Sequence, residues 1–192
     1  MNKLFKIAGV SVAALSAALY ASSMTKTLAA DIEKSSDLEG FTKVQLNTSS
    51  DVNVKIGRGF SIEMVGDEER IANTVLDVKG GTLKIKHKKG HFNYDDDQEM
   101  IVNIVMPNIE AMQINGSGDA DVIGVDNEEL VLNINGSGDM TVSGKTKNVD
   151  IGINGSGNIK MDEVVGSSVG ISINGSGNVE FSGGTCTTME ID

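Results

Sequence analysis

A six-residue unit, Ile-Asn-Gly-Ser-Gly followed by Asp or Asn, occurs four times in the second half of the chain, beginning at Ile114, Ile134, Ile153 and Ile173. The spacings are 20, 19 and 20 residues. A fixed period in this range marks a stacked array, in which one unit cannot bury its apolar face without a neighbour. Counting from the leading Ile, apolar residues return six positions on (Ala120, Met140, Ile159, Val179) and again eight positions on (Val122, Val142, Met161, Phe181), with polar residues between them. That alternation is the signature of a half-buried strand. Two residues later stands Gly124, Gly144 or Gly183, with Glu163 as the exception, which marks a second corner. Each unit closes on another two-residue rhythm: Leu130, Leu132, Ile134; Val149, Ile151, Ile153; Val169, Ile171, Ile173. The pattern predicts an all-β, single-domain parallel β-helix (β-solenoid) with coils of roughly 20 residues, each offering about five inward apolar side chains.

The corner has its own chemistry. Two glycines allow positive φ on either side of a small serine, so Asn115, Gly116 and Gly118, with their equivalents Asn135, Gly136, Gly138, Asn154, Gly155, Gly157, Asn174, Gly175 and Gly177, read as structural turn residues. Stacked coils would superpose the four asparagines, whose amides can bond along the axis as a ladder. The closing position reads Asp119, Asp139, Asn158, Asn178. The change from acid to amide halfway relieves like-charge stacking.

The first half is less regular. Residues 44–52 align with residues 112–120 as a degenerate first coil, expected to act as an N-terminal β cap. Between the two lie a strand around residues 60–65, one helical turn near residues 68–74, and a strand pair, residues 83–88 with 100–106, joined by a charged loop. Pro107 ends the second of these where no ladder donor is available. Residues 31–110 are thus read as irregular N-terminal coils and a hairpin, and residues 111–192 as regular repeat coils. Residues 187–192 read as a strand about to enter another turn, so the natural chain is expected to run further.

Residues 1–30 stand apart. Lys3 and Lys6 precede an uncharged run over residues 7–21, and small residues lead to Ala29-Ala30 before Asp31. This is the layout of a secretory signal peptide cleaved after Ala30; the competing reading is an uncleaved N-terminal anchor. No other stretch is apolar enough to span a membrane, so no integral anchor is expected in the mature chain. Removing residues 1–30 takes away three lysines and no acid, leaving 13 basic against 27 acidic side chains, a change in formal charge from −11 to −14. A chain this acidic is repelled by phosphate backbones, which excludes nucleic acid as a partner, and the acid keeps a repetitive β protein soluble. The one cysteine, Cys186, is a strand thiol or a terminal staple and not a catalytic candidate.

Three kinds of site have some of their ingredients in this chain. Gly116 to Val122 faintly resembles calcium-binding glycine-aspartate repeats, but those recur every nine residues, and the Asp they require falls here on Ala120, Met140, Ile159 and Val179. A polysaccharide-active β-helix enzyme needs paired carboxylates or a basic residue over a sugar-binding face. The only arginines are Arg58 and Arg70, outside the repeats, and no aromatic stripe is present. The loop over residues 87–99 sets lysines beside Asp95, Asp96 and Asp97, with His87 and His91 four apart but Gly90 intervening. A solvated hairpin tip explains it better than a metal site, and His87, His91, Phe92 and Tyr94 form the candidate partner-contact loop. No metal, cofactor or catalytic residue is expected.

Phe41-Thr42-Lys43-Val44, Gly80-Gly81-Thr82-Leu83-Lys84-Ile85, Val105-Met106-Pro107-Asn108-Ile109 and the fourfold Asn-Gly-Ser-Gly corner together resemble the head GIN domain family, a family of autotransporter adhesin heads. The resemblance covers essentially the whole mature chain. It implies a β-helical fold and export in bacteria. It is to the head alone, since no translocator barrel of alternating strands stands within these residues. The expectation is an exported cell-envelope or surface interaction protein, adhesin-like and without catalytic activity, periplasmic or extracellular, that binds an unknown protein or glycan ligand through its extended flat faces. The alternatives are a structural periplasmic protein and, behind it, a polysaccharide-active enzyme.

Overall fold

The computed structural model describes residues 32–89 and 99–191; for residues 163 and 164 it describes the backbone alone. Among the described residues thirteen strands and one short helix follow in order: β1 (Ile32–Ser36), β2 (Lys43–Asn47), β3 (Asp51–Ile56), β4 (Ser61–Gly66), α1 (Glu68–Ala72), β5 (Thr74–Lys79), β6 (Thr82–His87), β7 (Met100–Met106), β8 (Ala111–Gly116), β9 (Ala120–Gly136), β10 (Met140–Gly155), β11 (Asn158–Gly175), β12 (Asn178–Ser182) and β13 (Thr185–Ile191). They form one sheet coiled into a parallel β-solenoid.

The register stacks like on like. Met112, Leu132, Ile151 and Ile171 form one inward column, and Ile114, Ile134, Ile153 and Ile173 another. Ala120, Met140, Ile159 and Val179 form a third, beside Val122, Val142, Met161 and Phe181. The lower members of every column are buried. Each such side chain contributes about 1.5–3 kcal/mol through removal from water, so the core grows by repetition without any long apolar segment. Gly124 takes φ +83° at the second corner, and Gly144 marks a bulge where its Cβ would lie 2.3 Å from the Val125 carbonyl.

Residues 44–52 do form a coil in register with residues 112–120: Val44 pairs Met112, Leu46 pairs Ile114 and Val52 pairs Ala120. This coil is not the terminal layer. Below it β2 also pairs β6, and β3 also pairs β7, both in parallel, so the first coil lies between two others. The bottom is closed by antiparallel strands, β5 on β6 and β4 with β1 on β7. These turn the last edges away from continued parallel stacking.

The expected strand pair of residues 83–88 with 100–106 does not form. Both strands exist, but β6 makes its hairpin with β5 through Gly80 and Gly81, at φ +59° and +72°, and β7 lies on a different side of the coil against β3 and β4. The Gly-Gly turn is the shorter closure, and the two strands are consecutive sides of one layer. The helical turn falls as expected, capped by the Asp67 carboxylate, which accepts from the Glu69 and Arg70 N–H groups at 2.9 and 3.1 Å.

Candidate functional site

Two hydrogen-bond ladders run up the Asn-Gly-Ser-Gly corner. In the first, Asn115 Nδ2 donates to Asn47 Oδ1 at 2.8 Å, Asn135 Nδ2 to Asn115 Oδ1 at 2.9 Å, and Asn154 Nδ2 to Asn135 Oδ1 at 3.2 Å. Asn174 pairs with Asn154 in backbone register. In the second, the side-chain oxygen of each closing residue accepts from the backbone N–H of the coil above: Asp119 N–H to Asp51 at 3.0 Å, Asp139 to Asp119 at 2.7 Å, Asn158 to Asp139 at 2.8 Å, and Asn178 to Asn158 at 3.2 Å. Asn158 and Asn178 add an amide donor, each at 2.8 Å. Between the ladders, the N–H groups of Ser137, Ser156 and Ser176 donate to the carbonyls of Gly116, Gly136 and Gly155.

Both glycines of the regular turns answer a close approach to the coil below, and the first answers a backbone demand as well. Gly116, Gly136, Gly155 and Gly175 take φ between +136° and +152°. Gly118, Gly138, Gly157 and Gly177 do not have positive φ, contrary to the expectation of left-handed backbone on both sides of the serine. Close approach demands them instead: a Cβ on Gly138 would stand 2.1 Å from the Gly118 carbonyl oxygen, and one on Gly157 2.2 Å from that of Gly138. The first coil carries Thr48 and Ser50 at the glycine positions, both buried. Among the described residues no glycine turn is stacked beneath them. Helix α1 is there instead, and Arg70 Nη2 donates to Ser49 Oγ at 2.6 Å.

Burial raises the Asp51 carboxyl above its ordinary value of 3.8; the nearby Asp119 and Glu99 charges add to this, while the Asp119 N–H bond and Arg70 oppose it. His87, at the end of β6, is held below its ordinary value by burial and then by Arg70. It therefore stands uncharged at neutral pH. His91, Phe92 and Tyr94, the rest of the expected contact loop, lie outside the described residues.

A second feature escaped the sequence reading. On the outer face an open groove of about 280 Å³ is lined by Val131, Asn133, Asp150, Gly152, Ser172 and Glu190, among others. Its floor is backbone, because Gly152 and Gly170 fill outward positions. A Cβ on Gly152 would lie 2.5 Å from Asn133 Oδ1, and one on Gly170 would lie 3.0 Å from Asp150 Oδ1, so each polar side chain lies across the glycine of the next coil. Glycine inside a strand was the available signal of close approach. The result is a shallow trough with amide, hydroxyl and carboxylate groups held at coil spacing, suited to hydrogen-bonding a ligand laid across the strands.

A family profile described as "Putative auto-transporter adhesin, head GIN domain" matches residues 40–191, from just before β2 to the end of β13. The chain belongs to the head GIN domain family. Solved structures share the fold, two of them as follows. A "putative adhesin" from Parabacteroides distasonis superposes with a TM-score of 0.74 at 18% identity, covering 82% of this chain and 67% of that one. A "putative adhesin" from Bacteroides fragilis gives 0.57 at 16% identity, covering 85% and 97%. No curated protein matches the chain. As a head GIN domain it carries the regular coils, both ladders and the groove within the matched span. Among the described residues no helix is long and apolar enough to cross a membrane.

Proposed function

We propose that this head GIN protein is an exported, non-catalytic interaction module of the bacterial cell envelope or surface, adhesin-like, released from a signal peptide at residues 1–30. It engages a protein or glycan ligand through the outer groove, with the laddered corner holding the coils in register beneath it. The observation that carries this reading is the groove itself: glycines clear its floor, while Asn133, Asp150, Ser172 and Glu190 supply hydrogen-bonding groups on rigid strands. The names borne by the family and its structural neighbours point the same way.

Protease and antibody accessibility on intact cells, compared with cells whose outer membrane has been permeabilised, is the test. Digestion on intact cells supports a surface module, and Asp150→Ala with Glu190→Ala should then reduce binding of protein-coated beads to a target surface. Digestion only after permeabilisation overturns the surface reading and leaves an envelope protein with a structural role.

A further inference from the structure

The face that carries the groove runs up the stack over β5, β6, β2 and β8, then the second halves of β9, β10 and β11, to β13. Its three outward columns contain no buried residue. Their charge is graded. The lowest three strands carry Lys79, Lys84, Lys86 and Lys43; the one acid among them, Asp77, is paired with Lys86 at 3.2 Å. Lys43 also lies 3.8 Å from Glu110, at the corner beside the face. The two middle strands present only Ala111, Val131 and side-chain amides in these columns, and above them the charged residues are Asp150 and Glu190.

We propose that this face pairs with the same face of a second copy, the two solenoids antiparallel about a two-fold axis that lies along the strands between β8 and β9. A two-fold contact sets residue i against j and j against i. Here the half-turn brings Lys43 opposite the partner's Asp150 and Lys79 opposite the partner's Glu190, each pair occurring twice, because these four residues stand in one column at equal distances from the axis. Ala111 faces the partner's Val131, and Gln113 faces the partner's Asn133. The groove supplies the matching shape: Gly152 comes opposite the partner's Gln45 and Gly170 opposite the partner's Thr82, so a side chain of one copy enters each place where the other has none. Facing sheets stand about 10 Å apart, a gap that a lysine and a carboxylate span together. Slipping the partner by one strand sets Lys43 against Val131 or Gly170 and loses both ion pairs. Setting the solenoids parallel puts lysines on lysines and carboxylates on carboxylates. Eight strands at about 4.8 Å spacing span roughly 34 Å, so the contact covers roughly 600 Å² on each copy, at the lower end of specific interfaces. A further coil laid on the top would lengthen this face without covering it. The pairing does not rest on ligand binding in the groove, although a ligand there and the partner's Gln45 would compete for one place.

Sedimentation velocity of the protein from micromolar to near-millimolar concentration should show a monomer–dimer equilibrium. Physiological salt is the right condition, because it screens the net negative charge of the two copies more than it screens the pairs in contact. Lys43→Asp sets carboxylate against carboxylate at both symmetry-related places, and Asp150→Lys sets ammonium against ammonium, so each variant alone should raise the dimer Kd at least about tenfold. Mixed in equal amounts, the two variants match again at both places and should dimerise as the parent does. A chain carrying both changes should also pair with itself. Monomer at every concentration overturns the proposal. So does a parent dimer that neither variant weakens, which assigns association to another surface, or a loss that neither the mixture nor the doubly changed chain restores. No ligand enters these measurements, so their failure leaves ligand binding in the groove untouched.

Discussion

At the scale of single residues, the corner is governed by what lies beneath each glycine. Gly138→Ala drives a Cβ into the Gly118 carbonyl, and a loss of roughly 1–3 kcal/mol is expected on thermal or urea unfolding. Ser50→Ala, at the equivalent place in the first coil, should cost less than about 0.5 kcal/mol because that place already accommodates a Cβ. Equal losses at the two sites would contradict the stacking explanation. Asn135→Asp removes the donor to Asn115 and adds a charge to an exposed column, and a fall of about 1 kcal/mol is expected in the same measurement. The Asn and Gly positions were legible because the repeat prints them four times. That the second glycine is fixed by close approach alone was not, since positive φ and close approach select the same residue. Thr48 and Ser50 held the missing signal: a side chain where the repeat has glycine marks a place with room for a Cβ.

Asp51 supplies a prediction in pH. A carboxyl whose folded-state pKa stands above its unfolded value binds a proton more readily when folded, so stability falls as pH rises from about 3.8 through the raised value, and the deficit persists at neutral pH. Asp51→Asn keeps an oxygen for the Asp119 N–H and removes the charge. Its Tm should exceed that of the parent at pH 7, and the gain should shrink on acidification towards the ordinary carboxyl value. A gain that does not change with pH would assign the effect to packing instead.

At the scale of elements, the strands were legible from period-two alternation and their partners in the repeats from the period itself. Partners in the first half were not. Residues 83–88 and 100–106 both read correctly as strands, but alternation states which face is buried and says nothing about which edge is paired. Without a repeat to set the register, sequence adjacency suggested a hairpin that the coil geometry places on two different sides. The groove was hidden for a related reason. Val131, Asp150, Gly170 and Glu190 are far apart in sequence and become neighbours only when coils stack. An inward element gives a sharper test than an outward one: Ile153→Ala, fully enclosed between Ile134 and Ile173, should cost about 2–5 kcal/mol.

At the scale of the whole molecule, stability should be graded along the axis, because among the described residues a central coil has neighbours on both sides and β12 and β13 pair only with β11. Amide exchange should be slowest in β8 to β10 and fastest in β12 and β13, and a uniform rate would mean that the stack opens as a single unit. The placement of β2 and β3 carries a further consequence. They come early in the chain, yet the layers on their two sides are made of residues 82–86 and 101–106 below and 111–114 and 120–123 above. During synthesis from the N-terminus, the early coil waits for both sides, and nothing upstream of about residue 123 can settle piecemeal. Once that block closes it becomes a seed with a finished surface, and each further twenty residues or so can add at a moving growth front without disturbing what is already laid down.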